Sequence, residues 1–96
     1  MGILKAILSK ADLDRIYQSG GELFVNVHGL NKAEMTRFLR NIVASFRNQL
    51  IIHVIHGYNH GTVLKKLLYT EDIFRGREYY VYPDRENPGR TVLVLP

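Results

Sequence analysis

Apolar positions along the chain change period several times, and the changes mark its elements. Ile3, Leu4, Ile7 and Leu8 recur at helical spacing, and Leu13, Ile16 and Tyr17 form a second such set. Ser9 followed three positions later by Asp12 has the form of a helix start. This arm therefore reads as two short helices, or one kinked helix, ending at Gly20-Gly21. Residues 22–27 (ELFVNV) are rich in β-formers, lie between glycines and read as a strand. Asn31 with Glu34 resembles a capping box. Beyond it Met35, Phe38, Leu39, Ile42, Val43 and Phe46 make one apolar helix face, and the helix is expected to reach about Asn48. Arg37, Arg40, Asn41 and Arg47 fall on its other side.

Residues 50–55 (LIIHVI) are too apolar and β-branched for an exposed element and read as a central, buried, parallel strand. Gly61-Thr62 opens a further helix, with Val63, Leu64, Leu67 and Leu68 as its buried face and Lys65-Lys66 outside. Residues 77–83 read as a strand closed by Pro83, residues 84–90 as turn chemistry, and residues 91–95 as a last strand, the two strands forming a hairpin. The expected fold is an α/β two-layer sandwich: a βαβαββ core with a four-stranded mixed sheet, plus an N-terminal helical arm. The division is residues 1–21 for the arm and 22–96 for the domain.

The sequence also echoes itself. Residues 24–31 (FVNVHGLN) and 51–59 (IIHVIHGYN) both run from a strand into His-Gly, an apolar residue and Asn. His28 and His56, Gly29 and Gly57, and Asn31 and Asn59 are each 28 positions apart. That is the length of a strand–helix unit, so both His-Gly pairs belong at the carboxyl ends of parallel strands. If the strands are neighbours, the pairs share the edge at which open α/β sheets take ligands.

Composition narrows the partner. A net charge of +4 and a pI near 9.6 favour an anion, nucleic acid first. The chain has no cysteine, which excludes disulfides, thiolate metal sites and a cysteine nucleophile. No apolar run reaches the roughly 20 residues of a membrane span, and Lys5 and Lys10 break up anything like a signal peptide. A cytoplasmic protein without membrane contact is expected.

The glycines and histidines suggest specific chemistry. Gly57 and Gly61 allow positive φ and close ligand approach, and Gly61-Thr62 at a helix start presents free N–H groups to a phosphate. Two imidazoles beside that phosphate, His28 and His56, could act as general base and acid. RNA would supply its own 2′-hydroxyl as nucleophile. His53 alternates with Ile52 and Val54 and reads as a structural histidine on a sheet face. His56 and His60 are four apart, but neither loop offers an acidic ligand, so no metal and no cofactor are expected. Tyr58 could stack on a base. Arg37, Arg40, Lys65, Lys66, Arg75 and Arg77 could follow a phosphate backbone.

Taken together, VNVHGLN, then IHVIHGYNHGTVLKKLL, then GRTVLVL resemble the small MutS-related (Smr) domain over about residues 22–96. The resemblance implies the two-layer fold of the C-terminal domain of the third bacterial translation initiation factor. It also implies an endonuclease that nicks DNA or cleaves RNA. The family's Leu-Asp-x-His-Gly motif falls on Val25, Asn26, Val27, His28 and Gly29, with Asn26 in place of the aspartate. Its His-Gly-x-Gly motif falls on His56, Gly57, Tyr58 and Asn59, with Asn59 in place of the second glycine and Gly61 matching a later one. Site residues implied for catalysis are His28, His56, Asn26 and His60. Those implied for nucleic-acid contact are Gly29, Gly57, Tyr58, Asn59, Gly61 and Thr62. Asn26 carries no charge and cannot take a proton, which argues against full activity. The alternative is a catalytically inactive adaptor that binds RNA, the ribosome or a protein through the N-terminal arm.

Overall fold

A computed structural model describes residues 8–46, 49–57 and 61–96. The elements in chain order are α1 (Lys10–Leu13), β1 (Ile16–Ser19), β2 (Glu22–Asn26), α2 (Lys32–Ala44), β3 (Leu50–Ile55), α3 (Gly61–Thr70), β4 (Tyr80–Pro83) and β5 (Arg90–Leu95). The strands form one five-stranded mixed sheet in the order β1-β2-β3-β5-β4. β2 and β3 are parallel, and every other neighbouring pair is antiparallel. The mixed α/β class holds, with β3 central and parallel to β2 as the echo required.

The sheet has five strands, not four. Residues 16–19 were expected to be helical because Leu13, Ile16 and Tyr17 fit a helical spacing. Instead they form an edge strand, with Tyr17 opposite Phe24 and Ser19 opposite Glu22. The deciding feature is Gly20-Gly21, with φ of 60° and 80°. Two consecutive residues at positive φ make the two-residue turn whose twist matches a β-hairpin, so this Gly-Gly links strands instead of ending a helix. Only Lys10–Leu13 is helical here, and Ser9 and Asp12 form its capping box as the spacing predicted.

Asn31 accepts from the Glu34 amide at 2.8 Å while Glu34 accepts from the Asn31 amide at 2.9 Å, which fixes the start of α2. The helix ends at Ala44, short of the expected Asn48, a position outside the described residues. Its face of Met35, Phe38, Leu39, Ile42 and Val43 is buried against the sheet. Leu64 and Leu68 of α3 join the same core, but Val63 is 52% exposed and does not belong to the buried face. Leu23, Val25, Ile52, Val54, Leu93 and Leu95 line the covered side of the sheet. The alternation of buried and half-exposed residues in β3 makes it a one-sided strand, not one buried on both faces.

Candidate functional site

The parallel register places Asn26 beside Ile55, so both strands end at one level. The amide of Val27 donates to the Ile55 carbonyl at 3.0 Å, carrying the pairing past the strand ends. The two His-Gly turns therefore emerge side by side. Gly57, at φ +86°, lies directly against the His28 ring: a Cβ built on it would come within 2.9 Å of His28 Cδ2. Only glycine allows that approach. Gly29, at φ +89°, supplies the other turn and has open space around it.

The two histidines have different surroundings. His28 is exposed. His56 is 1% exposed, and both its ring nitrogens are engaged. Nδ1 lies 2.9 Å from the Gly57 carbonyl and Nε2 lies 2.8 Å from Thr91 Oγ1. A carbonyl can only accept, so Nδ1–H donates to it, and Nε2 accepts from the Thr91 hydroxyl. Burial pushes the His56 pKa below its ordinary 6.5; the hydrogen bond to Gly57 opposes this, and the nearby charge of Lys65 adds to it. His56 is thus a neutral ring clamping its own loop to β5. Gly89 completes the clamp, its carbonyl accepting from the amides of both His56 and Gly57 at 3.0 Å.

The lowered pKa has a consequence for stability. As pH falls below about 6.5, the unfolded chain takes up a proton that folded His56 still refuses. The unfolded state then binds more protons, so stability falls with pH in the window between 6.5 and the lower folded pKa. Above the window His56 is neutral in both states and contributes no pH dependence. Thermal unfolding between neutral and mildly acidic pH is expected to show this loss, and His56→Gln to flatten it. An unchanged slope in that variant would refute the assignment.

Asn26 is part of the turn. Its side-chain oxygen accepts from the His28 amide at 2.9 Å. Arg15, which the sequence did not single out, donates through one terminal nitrogen to the Asn26 carbonyl at 3.0 Å and the His28 carbonyl at 3.2 Å. Thr91 was also missed. Its signal was a polar residue at an inward position of TVLVL, where it needs a buried partner.

Lys65 is near enough to His56 to influence it, and Lys32 and Lys66 line a cavity beside α3 with Val63, Leu67, Thr70 and Glu71. Gly61 opens α3 as expected. Tyr58, Asn59 and His60 lie outside the described residues, and so does the Thr62 side chain. The arginines are elsewhere. α2 starts at the histidine edge and runs about 20 Å to the opposite end of the sheet. There Arg40, Arg75 and Arg77 border a cavity of about 490 Å³ with Phe46 and Phe74. Arg40 Nε donates to the Ile73 carbonyl at 2.5 Å, and Arg77 donates to the Val43 and Phe46 carbonyls at 3.1 and 2.7 Å. Arg37 is exposed on α2. The cations read as one phosphate-tracking set are therefore divided between two ends of the molecule.

On the open side of the sheet, His53 Nε2 meets Glu22 Oε1 at 2.5 Å, and its ring stacks on Phe24 at 4.2 Å with an angle of 7°. Its Nδ1 is buried without a hydrogen-bond partner among the described residues, so its structural role is only half satisfied. Among the described residues no cluster of His, Asp or Glu could hold a metal ion, and no helix is long and apolar enough to cross a membrane.

Fold and site together define a small mixed α/β domain whose two parallel strands end in paired His-Gly turns. No family model, curated protein or solved structure matches the chain.

Proposed function

We propose that this is a nucleic-acid-binding domain of the small MutS-related kind, contacting its ligand at the edge where β2 and β3 end. The observation that carries the reading is the convergence of the two echoed turns, with His28 packed on Gly57 and the charge of Lys65, in α3, felt at His56. Exposed His28 and the lysines of α3 supply the cationic and hydrogen-bonding groups that phosphates take. The likeness to the C-terminal domain of the third bacterial initiation factor belongs to this proposal, and is supported by the parallel β2–β3 pair with both long helices on one face.

The geometry favours holding over cutting. A general acid–base pair needs two imidazoles with a nitrogen free to exchange protons. His56 has both nitrogens committed, and Asn26 supplies no charge. The reading we adopt is an adaptor without nuclease activity, with His28 as a contact residue and His56 as a positioning residue.

The test is a panel of labelled single-stranded and duplex RNA and DNA, with and without chelator. Binding is expected to weaken steeply with salt, and the joint Lys65→Ala, Lys66→Ala variant to reduce the salt slope by about two. No cleavage is expected. Failure to bind any member at low salt sinks the proposal. Cleavage by the wild type that disappears in His28→Ala would overturn the inactive-adaptor part and restore the endonuclease.

A further inference from the structure

Both long helices pack on one face of the sheet, leaving the other uncovered by any long helix among the described residues. The uncovered face is not a plain aliphatic surface. The strand registers place Tyr17, Phe24, His53, Val92 and Tyr82 in one row across all five strands. Four of the five are rings. Tyr17 is 61% exposed and Tyr82 is 51% exposed. Tyr17 and Phe24 have ring centroids 5.4 Å apart, and Phe24 continues the row by stacking on His53. Arg90, beside Ile55 at the histidine edge, holds its guanidinium 5.9 Å from the Phe24 ring centre while paired with Asp84.

We infer that this open face binds single-stranded RNA, stacking unpaired bases on Tyr17 and Tyr82, the exposed rings at the two ends of the row, with the stacked Phe24–His53 pair as the floor between them. The inference rests on the nucleic-acid reading and names its substrate class. Exposed tyrosine rings such as Tyr17 and Tyr82 suit nucleobases, and only an unpaired strand offers base faces to stack on. Val92, the one aliphatic member, separates His53 from Tyr82 by two strand spacings, about 9.6 Å. The row spans four strand spacings, about 19 Å, enough for two or three nucleotides.

Charge supports the same occupant. The chain carries a net +4, and Arg90 and the histidine edge continue directly from the ring row, so a strand with bases on the face has its phosphates running toward that edge. A flat apolar protein partner would strip water from Glu22 and Arg90, which lie among the rings. Tyrosine hydroxyls and the Glu22 carboxylate offer hydrogen bonds to a 2′-hydroxyl, which favours RNA over DNA.

The experiment titrates the full chain with labelled oligouridine, the matching DNA strand and an RNA duplex. The chain has no tryptophan and six tyrosines, so emission is expected to be quenched by oligouridine, and the share of the quenching lost in Tyr17→Ala and Tyr82→Ala reports stacking on the row. Tyr17→Ala and Tyr82→Ala are each expected to weaken RNA binding about five- to hundredfold, with Tyr→Phe restoring most of it. If the wild type binds no nucleic acid, the broader reading fails along with this one. If it binds without quenching and the alanine variants bind as well as wild type, this inference alone fails. Equal affinity for DNA or duplex overturns the assignment to single-stranded RNA. A wild-type dimer that Tyr82→Ala converts to monomer overturns it in favour of a second copy of the chain.

Discussion

His56→Ala is expected to lower the unfolding free energy by about 3–5 kcal/mol, the largest loss from any one change at the candidate site. Three effects add. The ring is buried, so its removal leaves a cavity at the junction of β3 and β5. The Thr91 hydroxyl, itself fully buried, loses the acceptor it donates to. The Gly57 carbonyl loses its donor. Urea unfolding followed by circular dichroism measures the loss. Thr91→Val provides the internal check. It is expected to cost about 1–2 kcal/mol in the wild type and about half of that or less once His56 is alanine, because the shared hydrogen bond is already gone. Full additivity would mean that the two side chains do not act together.

Arg77→Met is expected to cost about 2–3 kcal/mol. The sequence suggested a phosphate contact, but the structure makes Arg77 a brace for the end of α2. One of its terminal nitrogens donates to the Val43 carbonyl, which also accepts from the Phe46 amide at 3.1 Å, and to the Phe46 carbonyl just past the helix end. Methionine keeps the apolar stem near Phe46 and Phe74 and removes only the charged donors. Arg77→Lys is expected to recover little, since an ammonium lacks the planar fork. Arg75→Ala, at an exposed residue on the same cavity, is expected to stay within about 0.5 kcal/mol. A neutral Arg77→Met would show that the brace contributes nothing and return Arg77 to the set of ligand contacts. Both variants leave the histidine edge intact, so low-salt nucleic-acid binding should survive Arg77→Met wherever the fold does.

The two arginines show how far a sequence pattern reaches. Arg75 and Arg77 sit two apart in one loop and look equivalent in the chain. One is exposed and the other crosses to a helix some thirty positions earlier, a distinction made only by where the loop lands on α2. His28 and His56 differ in the same way. Their matched spacing predicted parallel strand ends, which the β2–β3 register confirms. It could not predict that β5 would bring Thr91 and Gly89 under one ring and leave the other exposed.

Gly20-Gly21 gives the opposite lesson. The hairpin signal was present in the sequence, two glycines between β-capable residues, but a helical spacing in Leu13, Ile16 and Tyr17 competed with it. Four residues are too few for periodicity to discriminate, whereas the required pair of positive φ values is a strong local constraint.

What the sequence determined on its own was local or periodic. The caps at Ser9 and Asn31, the apolar face of α2, the central strand and the matched His-Gly turns all follow from interactions between residues close in the chain, or from one repeated spacing. Tertiary structure decided which imidazole is buried, which cations share an end and which rings share a row. Those outcomes depend on pairings between strands tens of residues apart. A register shift of one residue would turn Phe24, His53 and Tyr82 inward and Leu23, Ile52 and Leu93 out. Burial of one sheet face against α2 and α3 fixes that register, and thereby leaves the ring row on the open side.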